Sequence, residues 1–330
     1  MYYLICFIII LLIIYNHNSI SKKINLYDKA DNIRKLHNED VPQNGGIYIF
    51  FGLSLYLIFN LFYFNQSNIQ KDLLYLYFFS LTFLIIGILD DKFNIKANIK
   101  LILFCIIIIL LITLEQSLLI NNVYFHYHNI NFSLGNFSYF WTLLCFLLFM
   151  NAFNMFDGIN LQSGFYSLSM FFYFYLFSDK FDLLNLTIII FLAGFIYLNF
   201  KSKSFLGNNG TYFISFMLSF ISINVYNSEN KILVDEIVLI MIIPGLDLLR
   251  LFFSRIKRKK HPFKADRRHL HHLLQKKLNN FQTFAVLYLI TWMPIILAKF
   301  FDAYLFMITL NIFLYFSIYY YFDRLVTSKK

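Results

Sequence analysis

Acids, amides, histidines and glycines gather in five short clusters of this 330-residue chain, each lying between long apolar runs. In order they are Arg34-Lys35-Leu36-His37 with Gly45-Gly46, then Asp90-Asp91, then Asn151, Asn154, Asp157 and Gly158. After these come Gly207-Asn208-Asn209-Gly210-Thr211 and a run from Pro262 through Arg267 to His272. Adjacent carboxylates such as Asp90 and Asp91 repel and call for a cation or a basic partner, and Lys100 stands about ten residues on. The pair either acts on a substrate or marks where an apolar run leaves a membrane. Asn151, Asn154, Asp157 and Asn160 recur every three residues, which keeps them near one stripe of a helix that Gly158 can end. Such a stripe inside an apolar run faces protein or a polar cavity, as a site or as amide pairing between helices. Glycines beside the Asn208-Asn209 pair suit an anion at a helix N-terminus, or an ordinary turn. His269, His271 and His272 suggest zinc, but the 269/272 pair would share a helix face with His271 pointing elsewhere, and no cysteine joins them. Beside Arg267 and Arg268 they are better placed to bind phosphate oxygens. Asp247 and Arg250, three apart, read as a structural ion pair.

The elements that must position these clusters are membrane spans. Hydrophobic residues make up 59% of the chain and charged ones 14%, with mean hydropathy +0.62, where a soluble domain carries about 25% charge. The apolar blocks show no period-2 alternation, which excludes a β-barrel. A spanning helix needs about 20 apolar residues, and about eleven such runs occur, near 1–18, 45–64, 73–89, 98–118, 138–155, 161–178, 183–200, 210–226, 233–253, 282–299 and 301–322. The expected fold is therefore an all-α polytopic membrane protein of about eleven transmembrane helices, one integral domain over 1–330. The first run lacks a preceding basic residue and a small-residue cleavage site, so it reads as a retained anchor. Cys6, Cys105 and Cys145 sit inside apolar runs as small core residues, with no disulfide or zinc pattern.

With eleven spans, 24 of the 28 Lys and Arg residues fall on one side and 4 on the other. The positive-inside rule places the N-terminus outside and the C-terminus in the cytoplasm. All five clusters then lie on cytoplasmic loops, about 19–44, 90–97, 156–160, 201–209 and 254–281, and are expected to form one composite site. The net charge of +10 follows from topology and anionic lipid; no nucleic-acid partner is implied. A transporter would spread ionisable residues through the depth of several spans, whereas here they gather at one face.

Taken together and in this order, the clusters from about 34 to 275 resemble the polyprenyl-phosphate N-acetylhexosamine-1-phosphate transferases, the superfamily that also holds the phospho-N-acetylmuramoyl-pentapeptide transferases. The Pro262-Phe263-x-Ala265-Asp266-Arg267-Arg268-His269-x-His271-His272 run is similar to the branch using simple UDP-N-acetylhexosamines. The resemblance implies a glycosyltransferase of the inner (plasma) membrane. It would transfer N-acetylhexosamine 1-phosphate from a UDP-sugar to polyprenyl (undecaprenyl) phosphate, releasing UMP, with Mg²⁺ or Mn²⁺. It implies catalytic roles for Asp90, Asp91 and Asp157, and metal ligands in Asn154, Asp157 and Asn208. His37, Lys100, Asn151, Asn154, Asn160, Arg267, Arg268, His269, His271 and His272 would bind substrates, and helix-terminal N–H groups near Gly207 would add phosphate donors. A homodimer is compatible with it.

Three positions depart from the family pattern. Asn208 stands where a magnesium-binding Asp is expected, Asn160 where relatives often carry Asp, and Phe104 where a Gln is common. Asn208 still offers a carbonyl oxygen, but the site loses a negative charge and should hold Mg²⁺ more weakly. A catalytically degenerate binder of lipid phosphate or nucleotide sugar is the alternative that this departure raises.

Overall fold

The computed structural model describes residues 1–29, 40–64, 70–126, 130–229, 232–259 and 268–327. The chain is helical nearly throughout: α1 (Tyr2–Tyr15), α2 (His17–Ile24), α3 (Gly45–Phe59), α4 (Gln70–Phe93), α5 (Ala97–Leu114), α6 (Ser138–Phe156) and α7 (Gln162–Phe177). There follow α8 (Asp182–Phe200), α9 (Gly207–Glu229), α10 (Val234–Lys257), the short α11 (Leu270–Leu274), α12 (Asn280–Phe301) and α13 (Tyr304–Thr327). Two small antiparallel pairs depart from an all-helical chain: β1 (Tyr27–Asp28) with β2 (Val41–Pro42), and β3 (Asn122–Phe125) with β4 (Ile130–Ser133). In the second, Asn122 faces Ser133 and Phe125 faces Ile130; Val, Ile, Tyr and Phe in short alternating runs favour strand over helix.

Among the described residues eight helices are long and apolar enough to cross a membrane, nine if α1 and α2, bent by 73° at their junction, count as one span. This is fewer than the eleven expected. Runs 161–178 and 210–226 do form helices, but α7 has 16 residues, short of a bilayer core. Helix α9 has 23 and carries too many amides and hydroxyls to count by composition. Its residues from 211 to 225 are nonetheless all buried. The polar cost is met inside the helix, where Ser215 and Ser219 donate to the carbonyls of Thr211 and Ser215. Lipid-facing positions carry the opposite character: Phe78, Ile102, Phe172 and Phe313 are all exposed, as the bilayer solvent requires.

The chain divides into two compact units. The first (Met1–Lys96, Thr113–Glu115, Ser163–Ile221) contains α1 to α4, α7, α8 and most of α9, with α3 packed on α8 and α4, and α1 on α8. The second (Ala97–Ile112, Gln116–Gln162, Ser222–Lys330) is built around α10, which packs on α6, α12 and α13, with α11 against α12 and α13.

Candidate active site

The predicted site residues fall into two clusters, one in each unit. In the first unit, Asp90 and Asp91 end the apolar length of α4. The Asp91 carboxylate caps α9: Oδ1 accepts the N–H of Asn208 at 2.9 Å, and Oδ2 accepts the N–H of Asn209 at 3.0 Å and its Nδ2 at 2.7 Å. Asn209 Nδ2 also reaches the Gln43 carbonyl at 2.9 Å, tying the entry of α3 to the same point. Asp90 lies deeper, 2% exposed. Its Oδ1 accepts the Ile95 N–H at 2.8 Å and its Oδ2 the Tyr212 hydroxyl at 2.7 Å. Helix α9 can come this close to α4 because Gly87 has no side chain: a Cβ there would run into the backbone of Asn208 and Asn209.

One expectation changes here. Two N–H groups at the start of α9, read as donors for a substrate phosphate, belong instead to Asp91. N–H and O–H donors and the positive end of α9 relieve the two adjacent acids; Lys100 sits half-buried on the first turn of α5. Tyr212 is a participant that sequence reading missed, since a tyrosine in an aromatic-rich run carries no signal of its own.

The second unit holds the amide stripe and the histidines. Asn151 Nδ2 donates to the Leu147 carbonyl at 2.7 Å along α6. Asn154 and Asp157 follow at successive turns, both half-buried. Asp157 ends α6, with ψ at 69°, and Leu161 follows at φ +74°. His269 is the non-helical residue before α11, with ψ 151°. This breaks the helix-face argument for His269 and His272: all three imidazoles are neighbours. His269 and His271 stack with centroids 5.4 Å apart, and His271 and His272 meet edge-on at 4.2 Å.

His271, expected to point away, is the most enclosed of the three, 3% exposed. Its ring lies against Gly158, where any Cβ would collide with it. Its Nε2 has no hydrogen-bond partner among the described residues. Burial, with His272 and His269 beside it, drives its pKa well below the ordinary histidine value, Asp247 opposing, so it is neutral at pH 7. His272 Nδ1 meets Gln275 Oε1 at 3.3 Å. Arg268 is half-buried beside His269, and Asn160 is half-buried in the turn after α6. His37 and Arg267, with the rest of the 30–39 and 260–267 segments, lie outside the described residues.

The expected Asp247–Arg250 pair forms at 2.7 Å and is part of something larger. Asp247 Oδ1 also accepts the Tyr315 hydroxyl at 2.8 Å and the Leu270 N–H at 3.1 Å, while Oδ2 takes His269 Nδ1 at 2.8 Å.

Asn154 and Asp157 offer only oxygen donors, partly open to solvent, which is the half-shell that Mg²⁺ accepts when substrate phosphates complete it. Among the described residues no three His, Cys, Asp or Glu side chains converge on a metal-sized point. A dication held here would therefore depend on substrate oxygens.

Comparison with known proteins agrees with this chemistry. The model of a family described as glycosyl transferase family 4 matches residues 73–226. An undecaprenyl-phosphate alpha-N-acetylglucosaminyl 1-phosphate transferase of Salmonella typhi is 27% identical over 286 residues, covering 82% of this chain and 74% of that protein. A Thermotoga maritima protein of the same name is 26% identical over 275 residues, 81% of this chain and 79% of its own. A Bacillus subtilis protein named as a probable undecaprenyl-phosphate N-acetylglucosaminyl 1-phosphate transferase is 28% identical over 282 residues, 82% and 76% respectively.

Proposed function

We propose that this chain, which belongs to glycosyl transferase family 4 and is a membrane phosphosugar transferase, passes N-acetylhexosamine 1-phosphate from a UDP-sugar to undecaprenyl phosphate. An oxygen of the lipid phosphate forms a bond to the β-phosphorus of the nucleotide sugar. The bond from that phosphorus to the bridging oxygen breaks, and UMP leaves. The product is a lipid-linked diphosphate sugar, made on the cytoplasmic face, where a cytosolic nucleotide sugar and a headgroup-level phosphate can meet. The observation that carries this reading is a coincidence: the matched segment 73–226 contains Asp90, Asp91, Asn151, Asn154, Asp157, Asn160 and Asn208.

The roles are those the family resemblance implies, read beside the geometry of the described residues. Asp91, oriented by three donors, orders the lipid phosphate. A phosphate monoester is largely dianionic at neutral pH, so removing its proton contributes little and positioning contributes more. Asp90, locked by Tyr212 and Ile95, holds the end of α4 in register. Lys100, His37, Arg267, Arg268, His269 and His272 supply charge and N–H donors to phosphate oxygens, while the amides Asn151 and Asn160 bind the nucleotide sugar. Asn154, Asp157 and Asn208 would hold Mg²⁺ or Mn²⁺, which when bound neutralises charge on the diphosphate.

The test is UMP release by the purified protein in detergent with undecaprenyl phosphate, Mg²⁺ and a panel of UDP-N-acetylhexosamines, with Asp91→Asn as control. UMP that needs lipid and metal and vanishes in the control establishes the reaction and names the sugar. A second reading, a degenerate binder, rests on Asn208; lipid-phosphate binding without UMP from any donor would select it.

A further inference from the structure

Asp247 is a carboxylate on the apolar helix α10, 7% exposed. Four donors converge on it: Arg250 Nη2 at 2.7 Å, the Tyr315 hydroxyl at 2.8 Å and the Leu270 N–H at 3.1 Å on Oδ1, and His269 Nδ1 at 2.8 Å on Oδ2. Three of the four crowd onto Oδ1, and His269 has Oδ2 as its acceptor. Its partners come from three places: α10 itself, α13 and the turn that carries the histidines.

Arg250 is equally committed. Its Nε donates to the Tyr315 hydroxyl at 2.8 Å, its Nη2 also donates to the Arg268 carbonyl at 2.7 Å, and its guanidinium lies 4.2 Å from the Tyr319 ring centroid. Arg250 is therefore a brace and leaves the phosphate-binding work to others. Both backbone contacts of this knot, at the Arg268 carbonyl and the Leu270 N–H, flank His269 on either side. From the histidine turn the knot holds the side chain of His269.

We propose that Asp247 is a positioning residue for the transferase, acting through His269, and that α13 takes part through Tyr315. The inference rests on the transferase reading given above. A carboxylate can only accept, so Nδ1 of His269 must carry the proton that joins them. The ring is thereby fixed in one orientation, with Nε2 left for the substrate; because Nδ1 already carries a proton, Nε2 donates to a phosphate oxygen from the imidazolium form. A carboxylate behind the ring also stabilises the imidazolium form that donates to such an oxygen. Membrane helices α10 and α13 so reach the chemistry without touching substrate.

The decisive variant is Asp247→Asn. An amide has one carbonyl oxygen, which the three donors on Oδ1 will claim. Its NH₂ then faces His269 Nδ1, which must give up its proton; the ring keeps a neutral Nε2–H and loses the charge that the carboxylate supports. The expected result is a fall of about a hundredfold in kcat/KM for the UDP-sugar, the scale of losing one charge-stabilising contact in the transition state. In a His269→Gln background the same substitution should cost nothing further, because the residue through which it acts is gone. Histidine labelled with heavy nitrogen, with His269→Gln to assign the signal, should show the proton on Nδ1 in the native protein and on Nε2 in Asp247→Asn.

Losses that multiply in the double variant, an unchanged tautomer, or native kcat/KM in Asp247→Asn would each overturn the proposal. If Asp247→Asn does not fold, Tyr315→Phe removes a single donor. It should lower kcat/KM a few-fold and have no effect beside His269→Gln; a loss that persists there also overturns it. If the native protein releases no UMP, the transferase reading fails, and the tautomer measurement alone decides whether Asp247 orients His269.

Discussion

Asp91 holds Asn209 twice: a single carboxylate oxygen takes both its backbone N–H, at 3.0 Å, and its side-chain Nδ2, at 2.7 Å. With the Asn208 N–H on the other oxygen, the carboxylate sits as an anionic cap on α9, where helix dipole and orphan donors both favour it. The acid thus does structural work at the place where family resemblance puts substrate. Both uses are compatible, because three donors leave part of its acceptor capacity unfilled. Asn208 lies in the same turn, half-buried, one residue from that cap.

Restoring a carboxylate at position 208 should therefore sharpen metal dependence. Asn208→Asp adds a hard anionic ligand and places it in the first turn of α9, which tolerates negative charge. We expect the Mg²⁺ concentration for half-maximal UMP release to fall by about tenfold, a gain of about 1.4 kcal/mol in apparent metal binding. An Mg²⁺ titration of the two proteins side by side checks it; an unchanged midpoint would remove position 208 from the metal site.

Tyr212 should matter through the bond its hydroxyl gives Asp90. Tyr212→Phe keeps the ring, which is 2% exposed, and removes the donor to Asp90 Oδ2. Taking one donor from a buried carboxylate costs about 1–3 kcal/mol. The expected outcome is a lower melting temperature in detergent and a modest loss of turnover, smaller than that of Asp91→Asn. A Tyr212→Phe protein with native stability would show that Asp90 does not depend on this bond.

How much of this was legible beforehand depends on what kind of interaction each residue makes. The apolar runs gave the helices because burial in lipid is written in composition, and the Asp247–Arg250 spacing gave their ion pair because helix neighbours follow from the period. Tyr212 and Tyr315 were not legible. A tyrosine that serves as a buried donor looks in sequence like any other aromatic residue in a run of them, and its partner lies 122 or 68 positions away. The histidines were misread for a different reason: the face argument placed His269 and His272 on one helix, whereas α11 begins only at Leu270. The eight or nine helices that qualify among the described residues differ from the eleven expected because α7 is short and α9 is rich in amides and hydroxyls.

Gly158 should be irreplaceable. Adding one methyl group in Gly158→Ala drives it into the His271 ring, which is 3% exposed and has little room to retreat. Overpacking of this kind costs about 1–3 kcal/mol, and displacing His271 disturbs the two imidazoles packed against it, one stacked and one edge-on. UMP release should fall at least about tenfold. Full activity in Gly158→Ala would mean that the ring has an alternative seat.

His271 also sets a lower pH limit on the fold. Its pKa is held well below the ordinary value of 6.5 by burial first, then by His272 and His269. The unfolded chain takes up a proton on this residue near pH 6.5, and the folded one resists it. Its contribution to stability is complete above that pH and is lost progressively as pH falls below it, by up to about 1.4 kcal/mol for each pH unit, until the folded pKa is reached. Melting temperature in detergent should thus drop between pH 7 and pH 5 in the native protein, and less so in His271→Gln, whose amide does not titrate. Because the two proteins differ at one titrating group, the difference between their pH profiles isolates His271 from the other histidines and the acids. Parallel profiles would mean that the ring becomes protonated without cost, and would contradict its neutral state beside Gly158.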